Sequence, residues 1–294
     1  MTCPNRDGTL DTRGCIFCSR GGSGDFAISN KKISSRNFFI RNFSAEEKSM
    51  EQQLAEGIAL FGSKKTGQHF IAYFQAYTNT YAPVDHLEKV YRAALDHPDV
   101  CGISIATRPD CIPEEVLILL TKLRESYPGK FIWIELGLQT IHERTAAFIR
   151  RGYPLSCFEE CFCRLKGNGF PVIVHLILGL PGEDREKTLE TIAYLNRLAP
   201  FGIKLQLLHV LKDTDLARYY KCGAFEVLSK EDYISLVADC ITHLSPEIVI
   251  HRVTGDGPKE LLIAPDWSRN KRDVLNSLHK KMREEGLYQG QNFI

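Results

Sequence analysis

Short apolar runs alternating with helical patterns constrain this chain more than any other feature. Residues 69–75, 102–106, 130–136, 171–178, 204–209 and 248–252 are rich in Ile, Val, Leu and aromatics and read as strands. Between them lie helical patterns at 84–95, from Pro113 to Ser126, at 141–150, 155–168, 184–198 and 230–243. A further helix is expected ahead of the first strand, opened by the capping-box pattern Ser44-Ala-Glu-Glu47 and running to about Phe61. Strands in strict alternation with helices form βα units of a parallel sheet. Five such units and one more strand are visible, with no internal repeat and no linker between them. A length of 294 residues suits one α/β barrel-type unit.

The rest of the composition narrows the setting. Hydrophobic residues make up 44%, charged residues 25%, and the net charge is +1, so no overall field draws the chain to nucleic acid or lipid. No apolar run approaches 18 residues, and Met1-Thr2-Cys3-Pro4 opens without a signal peptide. Cytoplasmic residence without membrane attachment is the expectation. In that reducing compartment the ten cysteines are metal ligands or buried small side chains rather than disulfides.

Three of them stand apart. Cys3, Cys15 and Cys18 lie in Cys3-Pro-Asn-Arg-Asp-Gly…Gly14-Cys15-Ile-Phe17-Cys18, a Gly-rich turn segment. Three thiolates hold a four-iron cluster by three irons and leave the fourth open to a non-protein ligand. The rival is structural zinc, which asks for four closed ligands, commonly two Cys/His pairs. Only one C-x2-C pair is present here. Cys157, Cys161 and Cys163 do not share one helix face and read as buried core. Cys101, Cys111, Cys222 and Cys240 are isolated and read as packing.

Chemistry in β/α barrels gathers at the carboxyl ends of the strands. There the chain places Gln75 to Pro83, with Tyr77, Thr78, Asn79 and Tyr81, then Thr107-Arg108-Pro109-Asp110 and Glu135-Leu-Gly-Leu-Gln139. His175 to Asp184, with Gly179, Pro181 and Gly182, and His209-Val-Leu-Lys212 follow. Each alone could be a turn closing a strand. Five in βα register behind a three-cysteine motif indicate a site. His209 and Lys212 are candidates for substrate contact, whereas His175 reads as a satisfied core histidine.

On these residues the sequence resembles the radical S-adenosylmethionine (SAM) superfamily. Within it the chain is similar to the predicted Fe–S oxidoreductases related to the catalytic subunit of Elongator. The resemblance runs from Cys3 to about Gly257 and rests on Cys-Pro-Asn-Arg-Asp-Gly with Gly-Cys-x-Phe-Cys. The spacing of x11 then x2 departs from the x3-x2 common elsewhere in the superfamily. The resemblance implies a partial (β/α)6 TIM barrel in which Cys3, Cys15 and Cys18 ligate a [4Fe–4S] cluster and SAM binds the open iron. A reduced cluster then cleaves SAM to a 5′-deoxyadenosyl radical. The family's Gly-Gly-Glu or Gly-Gly-Thr stretch falls on Ala76-Tyr77-Thr78, where both glycines are replaced. Thr107, Arg108, Asp110, Glu135 and Gln139 match further SAM-site positions, and Gly179, Pro181 and Gly182 match the loop on the adenine. Thr78 and Asn79 complete the candidate cofactor set, and Tyr81 joins His209 and Lys212 as a strand-end candidate for substrate contact.

Kinship with Elongator implies tRNA wobble-uridine maturation, with a flavodoxin or ferredoxin as electron donor. No acetyltransferase domain follows the barrel in this sequence, so remodelling of an existing base substituent is expected rather than acylation. Two alternatives stand beside it: a radical enzyme acting on a small metabolite or protein, and a non-catalytic module that binds a cluster or zinc and docks a partner. Residues 1–253 are expected to form the barrel and 254–294 an extension with a basic helix from about Asn270 to Glu285. That helix reads as a solvated face, or as an RNA-contacting tail extended by Lys31, Lys32, Arg36 and Arg41. In barrels of this family a strand precedes the cluster loop. Only Met1 and Thr2 precede Cys3 here, so a missing first strand and a natural start upstream are expected.

Overall fold

The computed structural model describes residues 1–22, 24, 48–61, 67–255 and 257–293. Six parallel strands form one curled sheet in the order β1 (Phe70–Phe74), β2 (Val100–Thr107), β3 (Phe131–Gln139), β4 (Val172–Leu178), β5 (Gly202–Leu207) and β7 (Val249–Arg252). Helices α2 (Val84–Leu95), α3 (Glu114–Ser126), α4 (Glu143–Phe148), α5 (Leu155–Gly167), α6 (Arg185–Leu198) and α8 (Lys230–His243) connect them. The result is an α/β half-barrel, a partial TIM barrel, as the alternation of patterns implies.

Strand alternation sets the two faces. On β3, Ile132, Ile134, Leu136 and Leu138 are buried in the outer core. Helix α5 covers that face with Phe158, Cys161, Phe162 and Leu165. Burying each large apolar side chain contributes about 1.5–3 kcal/mol. The opposite parity, Phe131, Trp133, Glu135 and Gln139, turns to the concave face. Parallel register then lines Ala106 up with Glu135 and His175 up with Lys204. A row of polar residues on the concave face is therefore a product of register.

Several details differ from the sequence reading. Helix α1 (Met50–Ala59) starts later, because Ser49 and Gln52 form its capping box; Ser44 to Glu47 lie outside the described residues, as do Lys31, Lys32, Arg36 and Arg41 and most of the expected 19–43 loop. The fifth strand stops at Leu207, short of His209. Beyond it, β6 (Val210–Leu211) pairs antiparallel with β8 (Leu262–Ala264), a ladder too short to show a period. Helix α7 (Asp215–Lys221), capped by Thr214, was also hidden by its length. Cys161 is buried, but Cys163 is exposed and Cys157 half-buried, because helix rotation carries them off the core face. Cys222 is exposed at the end of α7 rather than packed.

Helix α9 (Lys271–Glu284) buries Val274 and Leu278 against α8 and leaves its basic residues outward. Among the described residues, none before Cys15 forms a strand, and β1 pairs only with β2. No helix among the described residues is long and apolar enough to cross a membrane.

Candidate active site

The cysteine segment is a self-braced loop, which explains the eleven residues between Cys3 and Cys15. The Cys3 carbonyl accepts from the backbone of Arg6 (2.8 Å) and Asp7 (3.2 Å), and the Gly14 amide donates to the Asn5 carbonyl (2.6 Å). Asn5 is buried, and its Nδ2 donates to the Arg150 carbonyl at 2.8 Å and to Cys15 Sγ at 3.5 Å. Arg6 donates to the carbonyls of Cys18 (3.1 Å) and Ser19 (2.6 Å). Gly14, at φ +77, is needed there, since a Cβ would lie 2.8 Å from the Arg6 guanidinium. The two central residues of Cys-Pro-Asn-Arg-Asp-Gly thus tie both ends of the loop together.

All three thiols open onto one cavity of about 160 Å³ over the concave face of the sheet. Its walls include Arg6, Tyr73, Gln75, Tyr77, Thr78, Thr107, Arg108, Glu135, Gln139, Arg151, Tyr153, His175 and Gln206. Of the sequence candidates, the three cysteines, Thr78, Thr107, Arg108, Glu135 and Gln139 are brought together here. Asn79 and Asp110 sit just behind the wall. Asn79 is buried and clamps β1 to β2 through the carbonyls of Phe74 and Ala106, both at 3.0 Å. Asp110 holds Arg108 in a two-point ion pair at 2.9 and 2.6 Å. Tyr81 pairs its hydroxyl with Thr9 of the cysteine loop at 3.0 Å. Gly179, Pro181 and Gly182 lie on the turn after β4, outside the lining. His209 packs beside Gly255 and Gly257, and Lys212 is exposed, so neither reaches the cavity.

Electrostatics divide the cavity in two. Around the thiols, Cys18 and burial push the Cys15 thiol well up, while the Arg108 guanidinium and the Asn5 amide pull it down. Burial penalises Arg108, but Asp110 outweighs it and keeps the guanidinium charged, with its field reaching Cys3. Tyr153 lies under both Arg108 (4.8 Å) and Arg151 (5.0 Å).

The floor is a polar network around Glu135. Its Oε2 accepts from Tyr73 Oη (2.9 Å), His175 Nε2 (2.6 Å) and Lys204 Nζ (2.5 Å), and its Oε1 from Ser104 Oγ (2.6 Å). Burial would raise the Glu135 pKa, but His175 and Lys204 outweigh it and hold the carboxylate ionised. Burial lowers Lys204, and the contact with Glu135 opposes that; facing an ionised carboxylate, Lys204 stays a cation. His175 is neutral, since burial lowers its pKa. With Nε2 donating to Glu135, its Nδ1 accepts from Gln206 at 3.2 Å. His175 is therefore satisfied as expected, yet it also lines the cavity.

Sequence reasoning missed Asn5, Arg6, Tyr73, Arg151, Tyr153, Lys204 and Gln206. Inward parity on the strands pointed to Tyr73, Lys204 and Gln206; Asn5 and Arg6 stood inside the Cys-Pro-Asn-Arg-Asp-Gly motif with no role read for them, and nothing local marked Arg151 or Tyr153. Tyr77 stands where the resembled family has a glycine and keeps a glycine-like φ of +64. Its ring packs on Gly22, and its hydroxyl donates to the Arg20 carbonyl at 2.6 Å. Those contacts hold a conformation that costs about 1–3 kcal/mol for a side chain with a Cβ.

The donor set fits an iron–sulfur cluster better than one ion. Among the described residues, no three Cys, His, Asp or Glu side chains converge on a single-ion position, while three cysteines share one cavity. The wall beyond them carries the polar side chains of Thr78, Thr107, Arg108, Glu135 and Gln139.

Comparison with known proteins agrees with this geometry. The chain is 44% identical to the uncharacterized protein YtqA of Bacillus subtilis over 99% of its own length and 84% of that protein. It is 31% identical to Elongator complex protein 3 of Mus musculus over 63% of this chain, but that covers only 33% of the relative. An N-terminally deleted Elp3 from the archaeon Methanocaldococcus infernus has the same fold, with a TM-score of 0.69 at 18% identity, covering 82% of this chain and 60% of that one. A Radical SAM C-terminal domain model matches residues 200–284. The Radical SAM superfamily model matches residues 12–195, which carry Cys15, Cys18 and strands β1 to β4. The chain therefore belongs to the radical SAM superfamily, a family of enzymes whose cofactors are a [4Fe–4S] cluster and S-adenosylmethionine.

Proposed function

We propose that this enzyme cleaves SAM reductively and uses the product radical to alter the carbon-5 substituent of a wobble uridine in tRNA. One observation carries the first half: three thiols and a preorganised polar floor face each other across a single cavity. Cys3, Cys15 and Cys18 would hold the cluster. Thr78, Thr107, Arg108, Glu135 and Gln139 on the wall would meet SAM, with Asn79, Asp110, Gly179, Pro181 and Gly182 behind or beside them. When bound, cluster and SAM would supply radical chemistry for removing hydrogen from a substrate.

The protein's own part is holding and shielding. Arg108, fixed by Asp110, places a positive charge beside the cysteines and offsets part of what Cys18 and burial do to the Cys15 thiol. Asn5 donates to Cys15 Sγ and fixes the loop to Arg150. Arg151 is fully buried and donates to the carbonyls of Leu138 (3.1 Å) and Thr140 (2.7 Å), which pins the end of β3 where Gln139 turns into the cavity. Helices cover the convex face, and the cysteine loop lies over the concave one.

The tRNA half is supported by the similarity to Elongator complex protein 3. A flavodoxin or ferredoxin donor and a cytoplasmic setting belong to the same proposal. Anaerobic reconstitution is expected to yield about four irons per chain and, after reduction, 5′-deoxyadenosine from SAM. Zinc alone, or no SAM cleavage, would overturn it in favour of a binding module. Nucleoside profiles of tRNA from a deletion strain are expected to change at the wobble position; an unchanged profile removes the tRNA assignment.

A further inference from the structure

The last barrel strand carries an irregularity beside the cavity floor. Parallel pairing of β5 with β7 runs Gly202 to Val249, Ile203 to Ile250, and then Lys204 to Arg252, so His251 is an extra residue. A bulge of this kind re-aims side chains, and bulges gather beside active sites. Here it turns both His251 and Arg252 to the concave face. The His251 ring meets Trp133 edge-on at 5.2 Å and lies against Gly202, where any Cβ would be 2.4 Å from it. Its Nε2 is buried with no hydrogen-bond partner among the described residues. Arg252 sits in register with Lys204, just outside the residues that line the cavity, and its charge acts on Lys204 and on Tyr73 and His175, which do line it.

Arg252 is half-buried, and among the described residues its guanidinium has no ion pair and no side-chain hydrogen bond. The one acid on the floor does not serve it. Both Glu135 oxygens are already taken by Tyr73, His175, Lys204 and Ser104. With Glu135 and Lys204 cancelling, the floor keeps one uncompensated positive charge. An unpaired, partly desolvated cation is costly unless something pairs with it. A planar guanidinium pairs best with a carboxylate or a phosphate through two parallel bonds.

We propose that Arg252 binds an anionic group of the substrate, a carboxylate or a phosphate, and orients the substrate over the Glu135 floor. This rests on the reading of the cavity as the active site. It narrows the substrate to one that carries a negative charge close to the reacting carbon.

The test is arginine labelling of the reconstituted protein with phenylglyoxal, resolved by mass spectrometry, with acetate and inorganic phosphate as probes. Arg252 is expected to react in anion-free buffer. One of the two probes should slow that reaction at least threefold at a concentration that leaves the exposed Arg218 unchanged, and the effective probe identifies the anion. Failure of Arg252 to react, or protection no greater than at Arg218 with either probe, overturns the proposal. Genetic complementation separates it from the tRNA reading. If the wild-type gene restores a lost tRNA nucleoside in the deletion strain, Arg252→Gln should fail to restore it and Arg252→Lys should restore it in part. Full restoration by Arg252→Gln overturns the proposal. If deletion alters no tRNA nucleoside, the tRNA assignment falls and the labelling result alone decides Arg252.

Discussion

Replacing Glu135 by glutamine tests the electrostatic core of the site. Glutamine keeps the shape of the side chain and removes its charge, leaving Lys204 buried without a counter-ion. The Lys204 side chain is 8% exposed and that of Glu135 is 2% exposed, so water cannot stand in for the lost partner. Breaking a buried pair by removing one member costs about 3–5 kcal/mol. Tyr73 and Ser104 still find an acceptor in the amide oxygen, but the amide N–H2 now faces donors. For a domain of this size the expected fall in Tm is on the order of 10 °C. Lys204→Met should cost less, because Glu135 keeps three neutral donors and methionine packs on the Tyr73 ring, where the lysine Nζ lies 4.3 Å from the centroid. The double variant should be more stable than Glu135→Gln alone, with a coupling energy of about 2 kcal/mol in urea unfolding.

The same network sets a pH dependence. The folded pKa of Glu135 lies below its unfolded value of about 4.3, so the contribution is complete above that value. It is lost as pH falls toward the folded pKa, and Glu135→Gln should unfold with a flatter acid limb than wild type. Single costs below about 1 kcal/mol that simply add would refute the buried-pair argument.

Three other outcomes follow from the site. Asn5→Leu removes the donor to Cys15 Sγ, so the reconstituted cluster should show a lower midpoint potential in a redox titration, since N–H···S bonds stabilise the reduced, more negative state. Gly14→Ala drives a methyl into the Arg6 guanidinium and should lower bound iron per chain by at least half, measured by iron assay, while far-UV circular dichroism stays unchanged. In maleimide labelling of the native protein, Cys163 and Cys222 should react first, and Cys161 should be inert until unfolding, because burial pushes its thiol pKa up to about 12.

Much of this protein is written locally. Each strand needs only a short apolar run, and each helix an apolar stripe and a cap, so sequence alone placed the six strands of the half-barrel within a few residues. The cysteine motif is local as well, because a cluster loop needs its ligands close along the chain. Tertiary structure decided what lies between these pieces. Glu135, His175 and Lys204 come from three strands and meet only because parallel register sets His175 level with Lys204 and brings Glu135 within two residues of that level on the same face. Asn5 and Arg108 reach Arg150 and Arg151 across more than 40 residues of sequence, and no spacing rule announces such contacts. His209 and Lys212 show the converse: the strand ended two residues early, and the side chains that looked nearest to a substrate fell outside the cavity. Arg252 depends on a single extra residue in a pairing register. That shift follows from how two strands fit together, which the sequence of neither strand specifies.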